Sequence, residues 1–426
     1  MERGGGMYQR HVLGNGVRLV VCPMPHTRSV TVAFFIGAGS RYESDDIGGA
    51  FHFAEHMLFK GTRRYPTPRH ISEAIEGVGG FMNGSTDRES TVYWAKVASP
   101  HFPLALDLLT DMVLHSLFAP EEVEKERRVI LEELASTQDS PDELAHVLLD
   151  ATLWPQHPLG RDVGGTPETV ASLTREVLLE TVRRYYVAGN TVCVVAGAVE
   201  GPEVVETVAP LVEGWPTGER PAFLPVRDGA PGVRVRVERR DTQQAHMALG
   251  LPAYPLTHPD RYALDLLSVV LGEGTSSRLF LELRERRGLV YDVFSALSYY
   301  QDCGAWTVSL SVEPGKAVEA LQGVVEEMLR LREGVSPEEV RKAKEMLKGR
   351  ILLRMEDSRA VAFWAGTQET LLGKVRTPDE VIQRVEAVTP EDLQRVARAL
   401  LDPQRLALAV VGPFRGERPF LRVLGG

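Results

Sequence analysis

Two histidines four residues apart with a glutamate between them are the residues of this sequence best suited to chemistry. They are His52, Glu55 and His56, within Ile47-Gly-Gly-Ala-Phe-His-Phe-Ala-Glu-His-Met-Leu-Phe59. A helix turns once in about 3.6 residues, so side chains four apart stack on one face and both imidazoles can reach one ion. Phe51, Phe53, Ala54, Met57, Leu58 and Phe59 surround them, which leaves the helix no polar face and marks it as buried. A lone histidine in such a helix reads as a core residue bonded to a carbonyl. A pair at this spacing with an acid between them is better explained by a cation, because burying those groups unpaired is costly. A hydrolytic zinc centre commonly takes three protein ligands and keeps a further position for water. A third donor is therefore required.

The helical stretch from Glu121 to Leu134 supplies candidates. At about 100° per residue, Val123, Ile130 and Leu134 form its inward stripe, and Glu126 and Glu133 lie on the flank of that stripe, one above the other. Glu133 is the expected third ligand and Glu126 the acid that orients a histidine. Glu121, Glu124 and Glu132 are expected to face solvent.

Such residues need a scaffold. Strand-like runs at 17–22 and 30–36 alternate with long amphipathic helices, the mixture of an α+β or α/β protein, and α+β is the expected class. Between Trp215 and Gly232 the pattern breaks into Gly/Pro-rich turns, which reads as a connection between two packed bodies. The expected organisation is a metal-bearing domain at 1–215, a linker at 216–232 and a second domain at 233–426. The halves read as duplicates. Pro120-Glu-Glu-Val123 recurs as Pro337-Glu-Glu-Val340 at an offset of 217, and Gly61-Thr62 as Gly274-Thr275 at 213.

Forty-three per cent apolar and 25% charged residues are an ordinary globular composition. The formal charge of −10 argues against a phosphate backbone or an anionic lipid surface as partner. Three scattered cysteines offer no zinc ribbon and no disulfide framework and fit a reducing cytoplasm. Residues 1–6 read as a frayed tail without the apolar core of a signal peptide, and no run of 18 or more apolar residues occurs that would span a membrane.

With those residues in place, the sequence resembles the pitrilysin family of zinc peptidases, whose order H-x-x-E-H inverts the commoner zinc motif. His52-Phe-Ala-Glu-His-Met-Leu-Phe-Lys-Gly-Thr62 is followed 77 residues after His56 by Glu133, in Glu126-Arg-Arg-Val-Ile-Leu-Glu-Glu133. Gly39-Ser-Arg-Tyr-Glu43, Asn83-Gly-Ser-Thr86 and His157-Pro-Leu-Gly160 extend the likeness, which is closest to the branch of mitochondrial processing peptidase. The resemblance implies two homologous α/β sandwich domains, each a mainly antiparallel sheet covered by helices. It implies one Zn2+ per active site on His52, His56 and Glu133, with Glu55 as general base in the hydrolysis of unfolded peptides. The alternative it carries is a non-catalytic or partner-dependent subunit.

In that family an arginine and a tyrosine seven residues apart reach from the last domain to hold the substrate carbonyl. Here they would be Arg284 and Tyr291, in Leu283-Arg-Glu-Arg-Arg-Gly-Leu-Val-Tyr291, although a basic turn of that kind also reads as plain surface. Because the chain keeps both parts, the resemblance implies a homodimer, with a heterodimer containing an inactive homologue as the alternative. Asn83 matches the family strand to which peptide substrate adds, and it reads equally well as a hairpin turn at Met82-Asn83-Gly84. The positions aligned with His52, Glu55 and His56 in the second half are Asp265, Ser268 and Val269, so no metal site is expected there.

Overall fold

A computed structural model of the chain describes residues 7–227 and 232–425. The expected frayed tail at 1–6 and residues 228–231 of the expected linker lie outside the described residues.

The strands are β1 (Gln9–Val12), β2 (Arg18–Pro23), β3 (Ser29–Ile36), β4 (Phe81–Thr86), β5 (Thr91–Ala98), β6 (Thr191–Gly197), β7 (Arg234–Arg239), β8 (Ala245–Ala253), β9 (Val290–Tyr299), β10 (Gly304–Val312) and β11 (Ala407–Gly412). They form one sheet in the order β1-β2-β6-β3-β5-β4 and a second in the order β7-β11-β8-β10-β9. In each, a single parallel pair, β2 with β6 or β7 with β11, sits among antiparallel neighbours. Apart from β1, the second sheet repeats the first strand for strand, and the recurrent Pro-Glu-Glu-Val opens the Pro120–Asp139 helix in one half and the Pro337–Arg354 helix in the other. Both sheets are covered by helices. The fold is thus α+β, two α/β layered units of common topology.

The compact units are not the two continuous stretches on either side of 216–232. One comprises Met1–Leu134, Asp162–Leu224 and Leu352–Thr377, and the other Ala135–Arg161, Pro225–Ile351 and Pro378–Gly426. The cause is a reciprocal exchange of helices. Pro141–Leu153 packs on β8 and β11, and Ser358–Leu372 packs on β3 and β6. Complementary volumes explain both dockings. Leu144, Leu148, Leu149 and Leu153 fill the space left by Ala248, Ala305, Ala407 and Ala409. In the first unit, helix residue Gly366 lets Phe35 approach so closely that a Cβ at 366 would lie 2.1 Å from the ring. Each fully buried leucine contributes about 1.5–3 kcal/mol.

The described part of the expected linker is tied down. The amide of Ala188 donates to the Pro216 carbonyl at 2.8 Å, Arg41 to the Leu224 carbonyl at 2.9 Å and Arg220 to the Thr370 carbonyl at 2.8 Å, all within the first unit. In the second unit the amide of Val226 donates to Asp302 at 2.8 Å.

Candidate metal centre

The helix carrying the histidines is Ala50–Leu58, and its residues Ala50, Phe51, Phe53, Ala54, Glu55, Met57 and Leu58 are buried. Only the two histidines reach partly to the surface. Gly49 at the N-cap has φ +90° and no side chain to satisfy the first amides. Glu43 does so from outside the helix, accepting from the amides of Gly49 at 2.9 Å and Phe51 at 2.8 Å. This is the favourable place for a carboxylate beside a helix N-terminus. The helix start is also locked by paired glycines: a Cβ at Gly49 would lie 2.4 Å from the Gly164 carbonyl, and one at Gly165 2.4 Å from the Gly48 carbonyl.

Nε2 of His52 and Nε2 of His56 lie 3.2 Å apart. Glu133, on the Pro120–Asp139 helix, places Oε2 3.9 Å from the first and 3.7 Å from the second. Among the described residues, these three form the one group of histidine, cysteine and acidic side chains whose donor atoms converge closely enough to hold a metal ion. Tetrahedral zinc with bonds of about 2.0–2.2 Å holds its ligand atoms roughly 3.3–3.6 Å apart. The triangle, with sides of 3.2, 3.7 and 3.9 Å, comes close to that size and the donor set is that of a hydrolytic zinc site, so the residues fit the ion. Burial, reinforced by His56, lowers His52 to about 4, which keeps it neutral and able to ligate near pH 7.

Glu126 is buried and points Oε2 at His56 Nδ1, 3.1 Å away. Its other oxygen lies 2.7 Å from Lys60 Nζ. Glu55 accepts from the Thr86 hydroxyl at 3.0 Å, and Gly84 makes room for it, since a Cβ there would sit 2.7 Å from Glu55 Oε1. Burial raises the Glu55 carboxyl above its ordinary range. His56 and Thr86 pull it down, and Glu133 pushes it up.

Asn83 lies on β4, the edge strand of the first sheet, paired with Trp94, so the segment is strand and not a hairpin turn. Its side chain is exposed and accepts from the Gly84 amide at 2.9 Å. Arg284 and Tyr291 belong to the second unit. Arg284 sits in a π-helical turn, Phe280–Arg286, and its guanidinium lies 5.4 Å from the centroid of the Tyr291 ring, which is exposed. π-Helical turns are frequent at functional sites. Glu43, Lys60, Gly84 and Thr86 lie inside the motifs quoted above, but nothing in their residue types marks a role at the site. Lys60 and Thr86 act by contacts with residues distant in sequence, Glu43 by bonds to main-chain amides and Gly84 by the absence of a side chain.

Comparison with known proteins places this geometry. Residues 19–167 match the family described as Insulinase (Peptidase family M16), and residues 172–347 match Peptidase M16 inactive domain. An uncharacterized zinc protease of Streptomyces coelicolor is 38% identical over 424 residues, covering 98% of this chain and 92% of the relative. One of Bacillus subtilis is 35% identical over 418 residues, covering 96% and 98%. Among solved structures, a protease from Helicobacter pylori aligns with a TM-score of 0.89 at 24% identity, covering 95% of this chain and 99% of that one. A chain of Complex III2 from Candida albicans aligns with a TM-score of 0.84 at 17% identity, covering 99% of each. These structural likenesses show a common fold. The sequence relatives, matched over nearly their whole length, show more: the chain belongs to peptidase family M16.

Proposed function

We propose that the chain is a zinc metalloendopeptidase of the processing-peptidase-like branch, hydrolysing unfolded or short extended polypeptides enclosed between two subunits. The observation that carries this is the convergence of His52, His56 and Glu133 beside a carboxylate, Glu55, held in place by Thr86. His52, His56 and Glu133 would hold Zn2+, which when bound acidifies water and polarises a carbonyl. Glu55 takes the proton of the attacking water and returns it to the leaving amine, a task suited to a carboxyl raised by burial. Glu126 fixes the His56 ring through Nδ1. Substrate backbone adds to the edge of β4 beside Asn83, and main-chain pairing there gives affinity with little side-chain selection.

Arg284 and Tyr291 supply donors toward the substrate carbonyl and the charge that develops on it. The chain carries both this pair and a metal-holding group, which supports a homodimer in which the pair serves the partner's centre. Cys22, Cys193 and Cys303 are free and buried, in keeping with a reducing cytoplasm. No helix among the described residues is long and apolar enough to cross a membrane.

The test is metal analysis of the purified chain, followed by cleavage of a labelled unfolded peptide with and without chelator. One zinc per chain and chelator-sensitive cleavage are expected. A zinc-loaded chain inert toward every unfolded substrate would favour a non-catalytic subunit. Mixing Glu55→Gln chains with Arg284→Ala chains tests the homodimer, since restored cleavage requires each to complete the other.

A further inference from the structure

Lys60 lies two residues beyond the end of the Ala50–Leu58 helix, in a place the backbone fixes. The amides of Phe59 and Lys60 donate to the His56 and Met57 carbonyls, each at 3.1 Å, tightening the last turn. Gly61 then turns the chain away at φ +131°, where a Cβ would lie 2.6 Å from the Pro66 carbonyl oxygen. From this fixed origin the Lys60 ammonium reaches Glu126 Oε1 at 2.7 Å.

Glu126 is thereby held at both oxygens, by Lys60 at one and by His56 Nδ1 at 3.1 Å at the other. Its side chain is only 7% exposed and Lys60's 25%. An imidazole alone would leave one oxygen of such a buried carboxylate without this partner. The ammonium compensates its charge and fixes its plane. A fixed carboxylate plane in turn fixes the His56 ring and the tautomer that leaves the Nε2 lone pair facing His52 and Glu133.

The second unit provides an internal control. At the offsets that relate the halves, Lys60 corresponds to Glu273 and Glu126 to Ala343. Both members of the pair differ in the unit that lacks the histidines. If the lysine were a general solubilising or helix-ending residue, nothing would tie its loss to that of the acid.

We infer that Lys60 is a positioning residue of the metal centre, acting through Glu126 on His56 to set affinity for the divalent ion. The inference rests on the zinc reading above. The test uses the full-length chain freed of metal and measures zinc affinity by competition with a chromophoric chelator, for the parent, Lys60→Met, Lys60→Arg, Glu126→Gln and the Lys60→Met/Glu126→Gln double variant. Lys60→Met is expected to bind zinc about 10–100-fold more weakly, the usual cost of losing such an outer partner, and Lys60→Arg to recover most of the loss. In the Glu126→Gln background the lysine change should cost no further affinity, because its route to the histidine is already cut. Nitrogen-15 spectra of labelled histidine in the metal-free chain should show the Nδ1–H form of His56 in the parent and its loss in Lys60→Met.

Zinc binding by Lys60→Met within twofold of the parent, or additive losses in the double variant, overturns the inference while leaving the zinc reading intact. A parent chain that binds no zinc overturns both. Should Lys60→Met fail to fold, Lys60→Gln takes its place in the same comparison.

Discussion

The centre in the first unit and the matching place in the second are built on the same strands and helices and hold opposite solutions to one problem. Where the first has His52, Glu55, His56, Glu126 and Glu133, the second has Asp265, Ser268, Val269, Ala343 and Arg350. Arg350 forms an ion pair with Glu273, and Glu273 accepts from the Ser268 hydroxyl at 2.8 Å. Ser268 meets Ser295 at 2.9 Å, which accepts from the Trp306 indole at 2.7 Å. By strand register Ser295 matches Gly84: a small serine on the helix admits a side chain on the strand, whereas Glu55 requires none. In the second unit the cation is a covalently attached guanidinium and the polar groups of this cluster satisfy one another. In the first, the donor atoms of His52, His56 and Glu133 converge instead. Such a convergence of ligating groups costs stability and marks a candidate site.

The comparison can be broken at several points. The largest effect is expected at Glu55→Gln, which should retain zinc and lose on the order of 10³-fold or more in turnover, the upper part of the range for a general base. Loss of zinc instead, by metal analysis, would give Glu55 a ligand's role. Importing the second unit's strand residue as Gly84→Ser should push Glu55 aside, lowering kcat about 10–100-fold, with zinc content unchanged. An unaltered kcat would show that the close approach is irrelevant to the base.

Asp265, which stands where the first half has His52, is partly buried and raised to about 6 by desolvation, with the Tyr299 hydroxyl donating to it at 2.7 Å and opposing the rise. An acid whose folded value lies above its unfolded one favours folding when protonated, so stability falls as pH rises from about 4 through 6. Asp265→Asn should therefore stabilise the chain at pH 7 by up to about 3 kcal/mol and leave it unchanged near pH 4. Urea unfolding at the two pH values checks this, and equal gains at both would dismiss desolvation as the cause. The smallest change is the most constructive one. Asp265→His, Val269→His and Arg350→Glu together should raise zinc from one to two ions per chain. A ratio that stays at one would show that common topology does not extend to ligand geometry.

Much of the centre was legible because its spacings are local. The histidines at i and i+4 and the acids at i and i+7 share helix faces whatever surrounds them, and the duplication was visible as Pro-Glu-Glu-Val. The exchanged helices were not legible. The leucine stripe of Pro141–Leu153 and the apolar face of Ser358–Leu372 announce that each covers a sheet, and nothing in either says which sheet. The tying down of 216–227 escaped for a related reason, since most of its bonds run to or from main-chain groups, which leave no trace in residue type. Asn83 was ambiguous between strand and turn until the register with Trp94 settled it. Lys60 and Glu43 read as ordinary charges because their partners are identified only in three dimensions.

The trading of Pro141–Leu153 for Ser358–Leu372 makes each sequence half the keeper of a piece that the other needs to fold. Cleaving the gene at the connection would yield two fragments with an apolar sheet face laid open, Val20, Phe35, Val192 and Val194 on one and Ala248, Ala305 and Ala409 on the other. Neither fragment is then expected to fold alone, and the half with His52, His56 and Glu133 is expected to be expressed and engineered only together with the half that lacks them.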